Sequence, residues 1–170
     1  QASYEIDLPN GGLAWIIGNV VSQGPGTRNP VMVAYGSEGR HWPRNGLYVA
    51  HTTFVGQPWP PAWALRVFHD RLPEGLEVRV VNNLTVGLTA LSPGTNGTFA
   101  GNRWVLRRRA LASAWTLEFE LPPDSSLRGS GVDPGTGGGE SLAPTAEFTL
   151  PAGTRPIRRP NAWSPGAYQR

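Results

Sequence analysis

The residues that could carry chemistry are few and scattered. His41, His51 and His69 are the three histidines of the chain, and none stands in a His-x-His or His-Glu-x-x-His spacing. A zinc site would need three or four ligands drawn from separate segments, so isolated surface or strand histidines are expected. No Gly-x-Ser-x-Gly elbow exposes a serine on a sharp turn. The chain has no lysine, so it cannot build a phosphate-binding loop of the Gly-Lys type. It has no cysteine, which removes disulfides, thiol catalysis and thiolate metal sites together. Gly135–Gly139 lacks the flanking strand and helix of a dinucleotide loop. Asp124, Asp133 and Glu140 surround that glycine-rich stretch, but their spacing fits no calcium loop. Glu118 and Glu120 share a strand face with Thr116 and read as a solvated face, because acid–base work needs a cleft and a displaced pKa. These residues point to no reaction and to no cofactor or metal, and a non-enzymatic protein is expected.

Aromatic and arginine residues say more about binding. Of seven tryptophans, Trp42, Trp59 and Trp63 fall in one proline-rich region. Trp15 and Trp104 lie in strand-like segments and fit a packed core. Trp59 and Trp63, in Pro58-Trp59-Pro60-Pro61-Ala62-Trp63, are candidates for glycan or partner contact; packing beneath a loop is the competing reading. Arg107-Arg108-Arg109 alternates along a strand and reads first as an edge protected by charge, with phosphate or acidic-surface binding as the alternative. Asn83-Leu84-Thr85 and Asn96-Gly97-Thr98 match the N-glycosylation sequon.

The elements that must position these residues are strands. Ala2, Tyr4, Ile6 and Leu8 alternate with polar neighbours, the period of a half-buried strand. Segments 13–21, 31–35 and 47–55 are apolar and β-branched, and 76–81, 86–90, 116–121 and 145–150 alternate. Gly, Pro and Asn turns separate them. No segment of 11–18 residues keeps a helical period. About nine or ten short strands predict an all-β fold, an immunoglobulin-like or jelly-roll sandwich with extended N- and C-terminal arms. The divisions expected are an N-terminal strand over 1–9, a sandwich over 13–152 with a mobile glycine-rich loop at 129–139, and an arm over 153–170.

One stretch carries a family likeness. Residues 67–121 run through Asp70, Leu72, Pro73, Gly75 and Leu76, then Asn102, Trp104 and Leu106, then the alternating segment from Trp115 to Leu121. This pattern resembles the conserved-repeat domain of bacterial cell-surface proteins, an immunoglobulin-like sandwich. It departs from that pattern at 107–114, where Arg107 to Ala114 replaces a Leu-Ala-Pro-Gly segment. The resemblance implies a secreted sandwich with a structural or adhesive role and supplies no catalytic residues.

Size and charge bound the rest. A chain of 170 residues suits one domain and buries enough surface to fold without a metal or disulfide. No apolar run reaches the ~18 residues of a membrane span. The formal charge is +3, all of its basic side chains are arginine, and the pI is about 9.9. Without residues 155–170 the remainder has eleven arginines against twelve acids, or −1, so a nucleic-acid footprint would be confined to the tail and nucleic acid is not the expected partner. The start at Gln1-Ala2-Ser3 leads us to expect export after removal of a signal peptide, and an extracellular or cell-surface location. The ends are the main functional expectation. Ala2, Tyr4, Ile6 and Leu8 could be donated into a neighbouring copy by strand addition, an exchange that generates filaments. Arg155, Arg158, Arg159, Trp163 and Tyr168 have the composition of an interface arm. The expected function is an exported structural subunit that self-assembles, its partners being other copies of itself, into a pilus-like filament or surface layer. A viral capsid, tail or decoration protein is the alternative, in the virion. A carbohydrate-binding or adhesive module using the loop tryptophans on surface glycans is a further one.

Overall fold

The computed structural model describes residues 4–24, 26–27, 29–56, 61–92, 94–106 and 119–169. As expected, the fold is all-β, with one short 3-10 turn at His69–Arg71. Twelve of the strands follow one repeating route. They are β1 (Ile6–Leu8), β2 (Leu13–Ile17), β3 (Val20–Ser22), β4 (Val31–Tyr35), β5 (Gly46–Ala50), β6 (Thr53–Val55), β7 (Ala62–Val67), β8 (Glu77–Val81), β9 (Leu84–Val86), β10 (Thr89–Ala90), β11 (Thr98–Ala100) and β12 (Arg103–Val105). The first sheet runs β1-β4-β7-β10, the second β2-β5-β8-β11 and the third β3-β6-β9-β12. Every pairing within them is parallel. Each run of three strands is therefore one coil of a three-sided solenoid, and four coils stack.

This corrects the expected sandwich. Immunoglobulin-like and jelly-roll folds pair their strands antiparallel through hairpins and Greek keys. Here consecutive strands do not pair; each turns a corner onto another sheet and meets its partner one coil later. Trp15 lies opposite Tyr48, Tyr48 opposite Arg79, and Arg79 opposite Thr98. The segment that resembles the conserved-repeat domain lies, over its described residues up to Leu106, in the last two coils.

The corner between the second and third sheets shows why the sequence folds this way. Four segments superpose along it: Ile17-Gly18-Asn19-Val20, Ala50-His51-Thr52-Thr53, Val81-Asn82-Asn83-Leu84 and Ala100-Gly101-Asn102-Arg103. The first corner residue of each is left-handed: φ is 71° at Gly18, 48° at His51, 53° at Asn82 and 65° at Gly101. Gly and Asn tolerate that region, and His adopts it more readily than most other residues. The second corner residue is a short polar side chain, which in the second, third and fourth coils satisfies the preceding coil's main chain, while Asn19 in the first bonds Ile17 O of its own coil. Asn102 Nδ2 donates to Val80 O at 2.8 Å, Asn83 Nδ2 to Val49 O at 2.9 Å, and Thr52 Oγ1 to Ile16 O at 3.2 Å. Asn83 Oδ1 accepts from Thr52 N–H, and Asn102 Oδ1 from Asn83 N–H, each at 2.9 Å. The ladder lets fully buried polar groups at a tight corner keep their partners.

Inside the solenoid, Ile16, Val49 and Val80 occupy one row and pack with Val33, Leu47, Phe54 and Leu65. Each fully buried aliphatic side chain contributes about 1.5–3 kcal/mol relative to exposure. The same row ends at Phe99, in the last coil, which is 39% exposed.

Residues 119–169 cover two outer faces. The hairpin of β13 (Thr136–Gly137) and β14 (Glu140–Ser141) lies on the second sheet. Trp15 Nε1 donates to Gly137 O at 2.9 Å, and Leu142 packs with Tyr48, Ala50 and Val81. A Cβ on Gly137 would meet the Tyr48 ring at 2.3 Å, so glycine is required by the close approach. The glycine-rich stretch expected to be a mobile loop is thus a packed cover. The expected extended arm also folds back. β15 (Ala146–Thr149) pairs with β16 (Gly153–Pro156), and Ala167 and Tyr168 join Val55, Leu84, Val86 and Phe119 on the third sheet. The N-terminal strand sits in its own molecule: Ile6 and Leu8 of β1 pair with Val33 and Tyr35 and pack on the core.

Candidate functional site

The site begins at another corner, where β1 passes to β2 and β4 to β5. The crossing from β1 is short, Pro9-Asn10-Gly11-Gly12. The crossing from β4 is longer, 36–45, and carries Arg40, His41, Trp42, Pro43 and Arg44. Trp42 is 57% exposed. Its ring lies against Gly12, where φ is +100° and a Cβ would come within 3.0 Å of Trp42 Cδ1. The missing side chain at Gly12 makes the seat for the indole. Leu13, Pro43 and Arg44 complete a shallow groove of about 390 Å³ with Gly11, Gly12 and Trp42. His41 stands edge-on to the indole, with ring centroids 6.2 Å apart and planes at 85°.

Main-chain bonds hold this loop onto the short crossing. Glu38 N–H donates to Pro9 O at 2.8 Å and His41 N–H to Asn10 O at 3.0 Å. Asn45 clasps both crossings: Oδ1 accepts from Gly12 N–H and Nδ2 donates to Trp42 O, each at 2.9 Å. Arg71 donates to Ser37 O from the next coil. Below, the buried Tyr35 hydroxyl donates to Gly12 O and accepts from Gly46 N–H. An exposed aromatic ring on so braced a loop loses little further freedom when it binds. Arg44 acts on the neighbouring Tyr48 phenol and pulls its pKa down. Burial, with the 2.7 Å bond that Tyr48 donates to Glu77, outweighs this and pushes the phenol up to about 12. Tyr48 therefore stays a neutral donor beneath the β13–β14 hairpin.

The sequence-predicted residues fall elsewhere. Ala2 and Trp59 lie outside the described residues, as does Arg107-Arg108-Arg109. Tyr4, Ile6 and Leu8 are half-buried. Trp63 is half-buried in β7 and carries the Arg66 guanidinium 5.9 Å from its ring centroid. Arg155 pairs with Glu147 across β15 and β16. Arg158 and Arg159 are exposed, Trp163 lies 5.0 Å from the His51 ring, and Tyr168 is buried. Arg155, Trp163 and Tyr168 thus find partners within their own chain. Asn83 is corrected as a glycosylation candidate, because its fully buried amide is spent on the corner ladder. Asn96 is exposed. Among the described residues, no three His, Asp or Glu side chains are placed to hold a metal ion, and no helix is long and apolar enough to cross a membrane.

Sequence reasoning passed over Trp42, grouping it with Trp59 and Trp63 by the proline-rich region. The signal that would have found it is the pair Gly11-Gly12 facing a ten-residue crossing one coil later, visible only once the repeat is recognised. No protein-family model, curated protein or solved structure matches this chain.

Proposed function

We propose that this chain is a non-catalytic adhesive module of a cell-surface or extracellular protein that holds a sugar ring against Trp42. The observation that carries the reading is the exposed indole seated on Gly12. Its flat apolar face suits the C–H face of a pyranose, and Arg44 and His41 stand beside it as hydrogen-bonding groups. The shallow groove fits one residue of a longer chain better than an enclosed small molecule. The test is tryptophan emission titrated with soluble neutral and acidic polysaccharides, comparing the native chain with Trp42→Ala. Saturable quenching that disappears in the variant supports the reading; quenching unchanged in the variant, or none with any glycan, rejects it.

A second reading, self-assembly, has its own observation. At the last coil, Phe99 and Trp104 lie in register with inward-facing residues of the previous coil yet are 39% and 55% exposed, with Leu88 and Leu106 nearby in the chain also exposed. Such an apolar end beside strand edges can pair with another copy. This route replaces donation of β1, which is engaged in its own sheet. Sedimentation of the native chain against Phe99→Glu tests it: a concentration-dependent polymer abolished by the variant favours assembly.

A further inference from the structure

Residues 163–169 cross the two middle coils of the corner, where His51, Thr52, Asn82 and Asn83 are fully buried. Gly166 N–H donates to Asn82 O at 2.7 Å, and Ala167 N–H to Thr53 Oγ1 at 2.9 Å. At the centre of this strap lies the His51 imidazole, fully buried. We propose that His51 is an acid-sensitive latch: its neutral ring holds residues 163–169 on the solenoid, and protonation at Nε2 releases them and uncovers the outer face of the third sheet.

The hydrogen bonds fix which nitrogen carries the proton. Val132 N–H donates to Asn82 Oδ1 at 2.8 Å, and Asn82 Nδ2 donates to Val132 O at 2.7 Å. This reciprocal pair sets the orientation of the Asn82 amide. Its other N–H points at His51 Nε2, 3.1 Å away, which must accept. The ring proton then sits on Nδ1 and is donated to Ser164 O at 3.1 Å; Gln169 Nε2 also lies 3.1 Å from Nδ1, but its two hydrogens go to Ser164 O and Gly166 O, which are nearer. Gln169 closes the strap around the same carbonyl: its Oε1 accepts from Ser164 N–H at 3.0 Å, and its Nε2 donates to Ser164 O and Gly166 O.

A proton taken from solvent onto the Nε2 lone pair puts N–H against N–H. Turning the Asn82 amide over relieves that clash but breaks both bonds to Val132. The imidazolium would also be buried without a carboxylate in hydrogen-bond contact. Trp163, whose ring centroid is 5.0 Å away, favours a cation. Burial outweighs it, and the imidazole is pushed down to about 4. The solenoid side of the ring presents Asn82 and Thr52, which do not titrate. On the strap side, Glu147 accepts from Gln169 N–H at 3.1 Å and holds Arg155, and Tyr168 lies in the third-sheet cluster. Asp133 and Arg159 share a pocket with Trp163. Glu147 thus reaches the strap at Gln169 N–H rather than at the imidazole.

The test is hydrogen exchange of the full chain at about pH 7, 5 and 3.5, corrected for intrinsic rates. The expected result at the lowest pH is a loss of protection of at least about tenfold at residues 163–169, while β5 and β8 stay protected. His51→Asn tolerates the left-handed corner and cannot titrate there, so its strap should stay protected at about pH 3.5. Glu147→Gln should release as the native chain does, which separates the latch from protonation of the carboxylate. Loss of strap and strands in one step overturns the proposal, as does an unchanged acid release in His51→Asn. Should that variant fail to hold the strap at neutral pH, an NMR titration of the native His51 ring decides. Protonation near the ordinary 6.5 with the strap still protected would overturn it, and protonation near 4 coincident with loss of the strap would support it.

Discussion

Two corners of one solenoid are built on opposite principles. Between the second and third sheets, Asn83, Asn102 and Thr52 spend their polar atoms on neighbouring coils, and Asn83 and Thr52 are fully buried beside the strap. Between the first and second sheets, the crossing 36–45 is braced from below by Asn45 and Tyr35 and leaves Trp42 in solvent. The first corner spends its side chains on stability. The second is held by main-chain bonds, by glycine and by the Asn45 and Tyr35 side chains, which leaves the Trp42 ring in solvent. Loops that depart from a repeat are where side chains can be spent on binding, and the proposed sugar contact at Trp42 lies on such a crossing.

Substitutions should separate the two corners, and the largest effect belongs to the sealed one. Asn83→Ala removes an acceptor for Thr52 N–H and donors to Val49 O and Asn102 Oδ1, leaving buried partners unsatisfied. A loss of about 3–4 kcal/mol in urea denaturation is expected. Acid should weaken the same corner. The imidazole of His51 binds its proton at about 4 when folded and at 6.5 when unfolded, so the unfolded chain holds more protons between those values. Its contribution is complete above pH 6.5 and lost as pH falls to about 4, in total roughly 3 kcal/mol. The thermal midpoint of the native chain should fall over that window, and that of His51→Asn should fall less.

At the open corner the effects on stability shrink. Gly12→Ala forces a Cβ into a left-handed backbone and against the Trp42 ring. It should cost about 1–2 kcal/mol in denaturation and displace the indole, seen as shifted emission. Trp42→Ala should change stability by no more than about 0.5 kcal/mol while weakening glycan affinity at least about tenfold. A large stability loss in Trp42→Ala would erase the contrast between the corners.

Much of the strand content was legible, because alternation at 77–81 and 146–149 needs only the local period. The arrangement was not. Segments 13–21 and 47–55 read as single strands, yet each bends at a corner after Ile17 or Ala50. A left-handed histidine at position 51 gives no turn signal of the Gly or Pro kind, and parallel partners lie 19 to 33 residues apart, beyond any local window. The repeat was written in Gly18-Asn19, His51-Thr52, Asn82-Asn83 and Gly101-Asn102, and reading it needs the four segments aligned. The Trp42 site was hidden for the same reason, since its seat at Gly12 is distant in sequence and becomes a neighbour only through the coil.

The most direct measurement is the emission of the native chain and of Trp42→Ala during titration with a soluble polysaccharide panel. Saturable quenching by at least one glycan in the native chain, absent from an equally stable variant, is the predicted result. Identical curves for the two proteins, or flat curves with every glycan, would contradict a sugar-binding corner.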